Sequence, residues 1–412
     1  MQNNVCIIDL STTEIQIGVL TDEQFQTISP ALPWKVGFRQ ENDDTLVACF
    51  GEEFDRLDLE VRFTELDVFF QEITDEKTLE CLFNAFFEEI FHRQLPEQGY
   101  PIDWMLVYLI TPHQWTLMHR QQLRTALKRL KIEGQVSFLK SSKVTLRGML
   151  SQPLCLSIYY QKTLEDILTD ANKCHLFMID FARHDLVVYH TVYSRLEDNV
   201  SVELTDIMRF TDYCTDVGKK VSSVQKALQK VENDLSIAVG FSGRIDDTTK
   251  TIIELLRDQC NATFLEKQET AALLGGAELV RQFEEESSAK PLHFVYHYCF
   301  GVRLPDRNMV ELIPKTWVPP YHQKKAFRFT GAPEKFDVHL YCGLSTTEYS
   351  DVHYLATLEV EPSTDRKYTL NSPMEFILSV TLDDTTNGTF AVILPDQQEQ
   401  KLVEFTVPVL MD

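Results

Sequence analysis

Short apolar runs separated by polar breaks open the chain. Those at 5–10, 15–20 and 46–51 have the length and continuity of buried strands. Over 75–91 the period changes: Leu79, Leu82, Phe83, Phe86, Phe87 and Ile90 recur every three or four residues, which predicts an amphipathic helix. Residues 104–110 form another strand run, closed by Thr111-Pro112. A basic helix is predicted over 118–130, with Leu123, Ala126, Leu127 and Leu130 on one face. From residue 150 the scheme repeats. It predicts a helix over 150–160, strands over 175–179 and 186–192, and a helix over 212–231; a strand over 235–239 and helices over 247–259 and 269–281 follow. The run Glu284-Glu285-Glu286-Ser287-Ser288 is an acidic polar break of the kind that separates domains.

After residue 290 short β-rich runs take over. They lie at 310–313, 326–329, 336–341, 354–359, 375–382, 389–394 and 402–409. Turn clusters at Pro319-Pro320, Gly331-Ala332-Pro333, Glu361-Pro362 and Asn387-Gly388 punctuate them. Seven short strands at this spacing predict an antiparallel sandwich. The change of pattern sets the expected domains at 1–288, as α/β lobes of 1–150 and 151–288, and 289–412.

Composition narrows the function classes. The chain has 412 residues, 62 acidic and 39 basic side chains, and a net charge of −23. A polyanion of this kind is repelled by nucleic acid and by anionic membranes, so neither is an expected partner. No apolar run approaches the ~20 residues needed to span a bilayer. Residues 1–20 carry Asp9 within their apolar stretch and no basic leader, so a cytoplasmic location is expected. Nine cysteines lie scattered without a C-x-x-C pair, which reads as reduced core thiols. Other chemistry is weakly supported. Gly240-Phe241-Ser242-Gly243 lacks the spacing of a serine-hydrolase elbow, and His293 and His297 have no acid motif between them. Lys128, Arg129 and Lys131 read as a solvated helix face.

Several segments, in collinear order over nearly all of the chain, resemble the DnaK-type chaperones (heat-shock protein 70 family) of the actin-like ATPase superfamily. Ile7-Ile8-Asp9-Leu10-Ser11-Thr12-Thr13 is similar to that family's first phosphate loop, I-D-L-G-T-T. Leu109-Ile110-Thr111-Pro112 resembles its V-I-T-V-P segment, and Gln152-Pro153 stands at its E-P-T-A-A. Asp180-Phe181-Ala182-Arg183-His184-Asp185 falls on the second phosphate loop, D-L-G-G-G-T, and Val239-Gly240-Phe241-Ser242-Gly243-Arg244 on the adenosine motif, V-G-G-x-x-R. In the second part, Phe300-Gly301-Val302, Val318-Pro319, Ala326-Phe327, the run 338–343 and Ser379-Val380-Thr381-Leu382-Asp383 resemble the family's peptide-binding sandwich.

The resemblance implies a two-lobed actin-like (ribonuclease-H-like) α/β domain followed by an antiparallel β-sandwich. The family's adenine-capping helical subdomain is expected to have no counterpart in 187–235, and no helical lid is expected after the last strand. By resemblance a nucleotide would meet Asp9, Ser11, Thr12, Thr13, Asp180, Ala182, Arg183, His184, Gly240, Phe241, Ser242 and Arg244. The loop chemistry is altered, however. Phosphate loops present backbone N–H groups, and glycine permits the close approach. Ala182, Arg183 and His184 replace three glycines, and their side chains are expected to crowd out a polyphosphate. Phe241 replaces a glycine and is expected to fill the adenine slot. The interval 52–74, where the family's catalytic lysine would lie, holds Arg56 and Arg62 as its only bases. Phosphoryl transfer depends on positioned cations and metal-holding acids. No catalytic residue, metal site or obligatory cofactor is therefore expected, with ATP and magnesium bound only where the degenerate site still allows it.

Lys290 and Pro291 interrupt the apolar linker through which the family couples its domains, and are expected to spoil its docking as a strand. A peptide cleft would by resemblance be lined by Val302, Leu304, Phe327, Phe336, Val338 and Leu378, residues that also suit a sandwich core. Phe336 stands where the family has a small residue at a pocket floor. The expected function is a DnaK-like pseudo-chaperone that scaffolds a protein partner, client or co-chaperone with little or no ATP hydrolysis. The alternative is a minimal ATP-dependent chaperone binding client through its sandwich. An actin-like filament former is a third reading.

Overall fold

A computed structural model describes the chain except residues 1–3, 12–13, 22–23, 43–44, 57, 65–75, 101–103, 113–142, 171, 182–185, 196–199, 211–216, 230, 232–235, 244–245, 267, 285–291, 304–308, 330–334, 344–351, 362–373, 383–386, 395–399 and 407–412. The described residues are mostly β, with several sheets and few helices. The chain divides into two compact units. The first comprises Met1–Arg195 and Thr205–Ala289, and the second Leu196–Leu204 and Lys290–Asp412.

The first unit contains two larger sheets. One is built from β1 (Asn4–Asp9), β2 (Glu14–Leu20), β3 (Phe25–Pro33), β7 (Trp104–Thr111) and β8 (Lys143–Ser151), in the order β3-β2-β1-β7-β8. Its central strand β1 pairs antiparallel with β2 and parallel with β7, and β7 pairs parallel with β8. The other has β9 (Lys173–Asp180), β10 (Leu186–Arg195), β12 (Ser236–Ser242), β13 (Thr263–Phe264) and, from Thr205 on, β11 (Val200–Phe210), whose first residues belong to the second unit; the order is β13-β12-β9-β10-β11. Its central strand β9 again pairs antiparallel with its hairpin partner β10 and parallel with β12, beyond which β13 is parallel. A small third sheet joins β4 (Val36–Asn42), β5 (Thr45–Phe50) and β6 (Val61–Phe63).

Helices supply the cover. The amphipathic run of the sequence forms α1 (Glu76–Glu88), which continues through a π turn at Glu89–Gln94 to Leu95–Glu97. The wider turn resets the helical phase, so Ile90, Phe91 and Leu95 all reach the core beside Leu79, Leu82, Phe83, Phe86 and Phe87. Phe86 lies edge-on to Phe50 at 5.0 Å and close to Trp34 at 6.0 Å. Two further helices, α2 (Gln152–Asp170) and α5 (Ala271–Glu284), pack backbone against backbone. A β-carbon on Gly275 would stand 1.8 Å from the Cys155 carbonyl oxygen, and one on Gly276 would stand 2.7 Å from Ile110. The last two helices, α3 (Val217–Leu228) and α4 (Asp247–Gln259), bury Val221, Val224, Ile252 and Leu256 against β9 and β12 in a common core. Asp246 caps α4, accepting from the Thr249 N–H at 2.7 Å.

The first unit is richer in strands than the sequence pattern suggests. The segments that become β3, β4, β8 and β11 carry prolines, glycines or charged residues inside their apolar runs, which hides a strand period. The basic helix expected over 118–130 lies outside the described residues.

In the second unit β14 (Leu292–Val295) pairs parallel with the start of β11, from Val200↔Leu292 to Glu203↔Val295. The strand begins at Leu292, directly after Lys290 and Pro291. A proline removes only its own donor, and the four residues after it pair normally. Eight further strands follow among the described residues, where seven are legible in the sequence: β15 (Cys299–Arg303), β16 (Met309–Ile313), β17 (Tyr321–Phe329), β18 (Phe336–Gly343), β19 (Val352–Val360), β20 (Met374–Leu382), β21 (Asn387–Ile393) and β22 (Gln400–Thr406). They form two four-stranded antiparallel sheets, β16-β15-β18-β19 and β17-β20-β21-β22. Ring contacts join the sheets, Phe300 to Phe405 at 6.0 Å and Phe336 to Phe376 at 5.7 Å.

Two outcomes follow from this packing. Gly275→Ala is expected to lower stability by about 2 kcal/mol or more, read as a reduced urea midpoint, because α2 and α5 must separate to admit one methyl. The second concerns His175, whose Nδ1 lies 2.9 Å from His190 Nε2. Burial, then Lys173, holds the His175 imidazole below its ordinary value of 6.5. The unfolded chain therefore takes up a proton first as pH falls. Stability is complete above about pH 6.5 and declines as pH falls below it, and His175→Gln should flatten that decline below about pH 6.5.

Candidate functional site

Both central strands of the first unit end in a buried aspartate. Asp9 closes β1 at 0% exposure, and Asp180 closes β9 at 3%. Ligand sites of open α/β sheets form at such carboxyl ends. An ionised carboxylate withdrawn from water needs donors in place of the hydration it loses. Asp9 Oδ1 accepts the Ser11 backbone N–H at 2.8 Å and the Ser11 hydroxyl at 2.5 Å. The Leu10 N–H bonds to the Ile110 carbonyl, which fixes the exit from β1.

Asp180 is held from two sides. Its Oδ2 accepts from Gln152 Nε2 at 2.8 Å, and its Oδ1 accepts from the Ser242 hydroxyl at 3.1 Å. Gln152 Oε1 in turn accepts from the Tyr189 hydroxyl at 3.0 Å. Tyr189, Gln152, Asp180 and Ser242 thus form one buried chain of hydrogen bonds reaching from β10 through α2 to β9 and β12. Gln152 is the first residue of α2, where an acceptor group is favoured by the unpaired N–H groups of the opening turn. Three residues on, burial and the Asp9 carboxylate push the Cys155 thiol well above its ordinary range, so it stays protonated and unreactive. The first turn of α2 therefore meets both aspartates, Asp180 by a hydrogen bond and Asp9 through its charge.

The turn after β12 is locked from beneath. The Tyr160 hydroxyl donates to the Phe241 carbonyl at 2.6 Å and accepts the Phe241 N–H at 2.9 Å. A β-carbon on Gly240 would fall 2.7 Å from the Tyr160 ring, which gives that glycine a packing reason. Phe241 is wholly buried, stacked between Phe181 at 6.2 Å and Phe264 at 6.1 Å. Gly243 takes φ +85°, a left-handed turn that favours glycine.

Of the residues that the resemblance assigns to nucleotide, Asp9, Ser11, Asp180, Gly240, Phe241 and Ser242 are all buried. The structure brings Asp180 and Ser242 into one network and Asp9 and Ser11 into another. Thr12, Thr13, Ala182, Arg183, His184 and Arg244 lie outside the described residues, and the steric expectation at 182–184 lies there with them. Of the two bases in 52–74, Arg62 donates to the Phe54 carbonyl at 2.8 Å and covers the Phe54 ring, while Arg56 is exposed. Among the peptide-cleft residues, Val302, Val338 and Leu378 are fully buried and Phe336 is 6% exposed. Phe327 is half-buried and stacks on Phe376 at 5.5 Å. Leu304 lies outside the described residues.

Sequence reasoning did not single out Tyr160, Tyr189 or Cys155. One signal was available: Gln152, Ser157 and Gln161 are polar positions in a helix whose opening turns are otherwise apolar, and all three are buried. Among the described residues no three His, Cys, Asp or Glu side chains cluster as metal ligands, and no helix is long and apolar enough to cross a membrane. No family model matches the chain, and no curated protein matches it either.

The network has a sharp test. Gln152→Glu sets a second carboxylate beside Asp180 Oδ2 in a buried site. At neutral pH this should destabilise the protein by about 2–4 kcal/mol, with recovery near pH 5 as the pair shares a proton. Urea midpoints at both pH values check it.

Proposed function

We propose that this chain is a DnaK-like pseudo-chaperone, a scaffold that holds a protein partner with little or no ATP hydrolysis. Its architecture on this reading is a two-lobed actin-like domain followed by a β-sandwich. The matching strand order of the two larger sheets, each with its central strand parallel to one neighbour and antiparallel to the other, supports the first half. The two four-stranded antiparallel sheets of the second unit, joined by ring contacts, support the other.

The observation that carries the functional half is the occupation of Asp180 by Gln152 and Ser242. A magnesium-nucleotide site needs carboxylates free to hold the ion or its water, and positive charge for the phosphates. Asp180 has both oxygens engaged by neutral protein donors, and its partner across α2 is an amide rather than an acid. The Phe181–Phe241–Phe264 stack adds apolar bulk at the turn that an adenosine would approach. These residues fit magnesium-ATP poorly, and no step is assigned to it.

The alternative, a minimal ATP-dependent chaperone using Asp9, Thr12, Thr13, Arg183 and Arg244, is favoured by one feature. Two buried aspartates still end the central strands of the paired sheets. Thermal melting with millimolar magnesium-ATP separates the readings. A ligand at a thousand times its dissociation constant stabilises the native state by roughly 4 kcal/mol, a shift of several degrees. The scaffold reading expects no shift and no phosphate release above a blank. A clear shift with turnover would replace it with the chaperone ATPase.

A further inference from the structure

β17 ends its sheet, with β20 on one side and, among the described residues, no strand on the other. A terminal strand leaves a row of backbone N–H and C=O groups without partners. Its sequence, Tyr321-His322-Gln323-Lys324-Lys325-Ala326-Phe327-Arg328-Phe329, has three Lys or Arg and no acid. That is a concentrated positive charge in a chain of 62 acids and 39 bases.

Pairing with β20 sets His322, Lys324, Ala326 and Arg328 opposite Thr381, Ser379, Ile377 and Glu375 on one face of the sheet. Lys324 is exposed, and Arg328 reaches Glu375 at 2.8 Å while remaining largely in solvent. Lys325, on the alternate positions, donates to the Glu311 carbonyl oxygen at 2.9 Å. Across the sheet from Lys324 stand Ser379 and Ala391, both buried, so the exposed character of this face is confined to the edge strand itself. The edge thus offers backbone hydrogen bonds and a line of cations. Two copies of this edge would set lysine against lysine, which disfavours pairing with itself.

We propose that the β17 edge takes up an extended acidic segment of a partner protein as an added strand, its carboxylates set against Lys324 and Arg328. Main-chain bonds supply affinity in such strand addition, and alternate side chains supply selectivity. This names the partner chemistry of the scaffold and rests on that reading, but it is measured without nucleotide, so either can fail alone.

The test uses the full chain and fluorescein-labelled peptides about ten residues long, alternating valine with glutamate or valine with lysine, read by anisotropy. The glutamate peptide should bind and the lysine peptide should not. Lys324→Glu alone, at an exposed position and expected to leave the melting temperature unchanged, should weaken binding severalfold, and adding Arg328→Glu, which also breaks the pair with Glu375, should weaken it by about tenfold or more. N-methylation of alternate peptide amides should abolish binding when it blocks one edge of the peptide and leave it intact when it blocks the other. Equal binding of both peptides, indifference to charge reversal, or indifference to methylation of either edge would overturn the proposal. Sedimentation that shows a dimer dispersed by the double reversal would overturn it in favour of a second copy.

Discussion

Asp180 ends the middle strand of its sheet inside the protein, only 3% exposed, where a carboxylate loses most of its hydration. An amide from the start of one helix and a hydroxyl from the neighbouring strand take its place. This constraint organises the centre of the first unit. It fixes Gln152 at the head of α2, orients Tyr189 through the other end of the same amide, and ties β9 to β12 beyond their backbone ladder.

The same helix imposes a second constraint on its other side. α2 and α5 approach so closely that glycine alone fits at Gly275, and Tyr160 excludes any side chain at Gly240. Glycines in a loop that resembles an adenosine motif invite a ligand-based explanation. Here one of them answers to a tyrosine ring and another to a left-handed turn.

Much of the architecture was legible in the sequence. Strands with uninterrupted apolar runs, such as β1, β7 and β9, and helices with a clean three-four period, such as α1 and α4, lie within a few residues of where the pattern sets them. The strands that escaped notice have mixed faces. β11 carries Glu203, Asp206 and Arg209 among its apolar residues, although the alternation of Val200, Val202 and Leu204 is visible in retrospect. The site was half legible. Asp9, Asp180 and Ser242 stand out through their motifs. The contacts that define their chemistry, from Gln152, Tyr189 and Tyr160, come from residues 28 to 81 positions away in the chain, and no local pattern reports such distances.

The division of the chain carries a practical consequence. Leu196–Leu204 belongs with the C-terminal unit, and β14 finds its partner there. The backbone leaves the first unit, contributes a strand, and returns before leaving for good. A fragment beginning at 290 would consequently lose the template on which its opening strand zips, and a fragment ending at 289 would keep that template with nothing to cover it. The two halves are spliced rather than strung in series, and no single scission yields both of them whole.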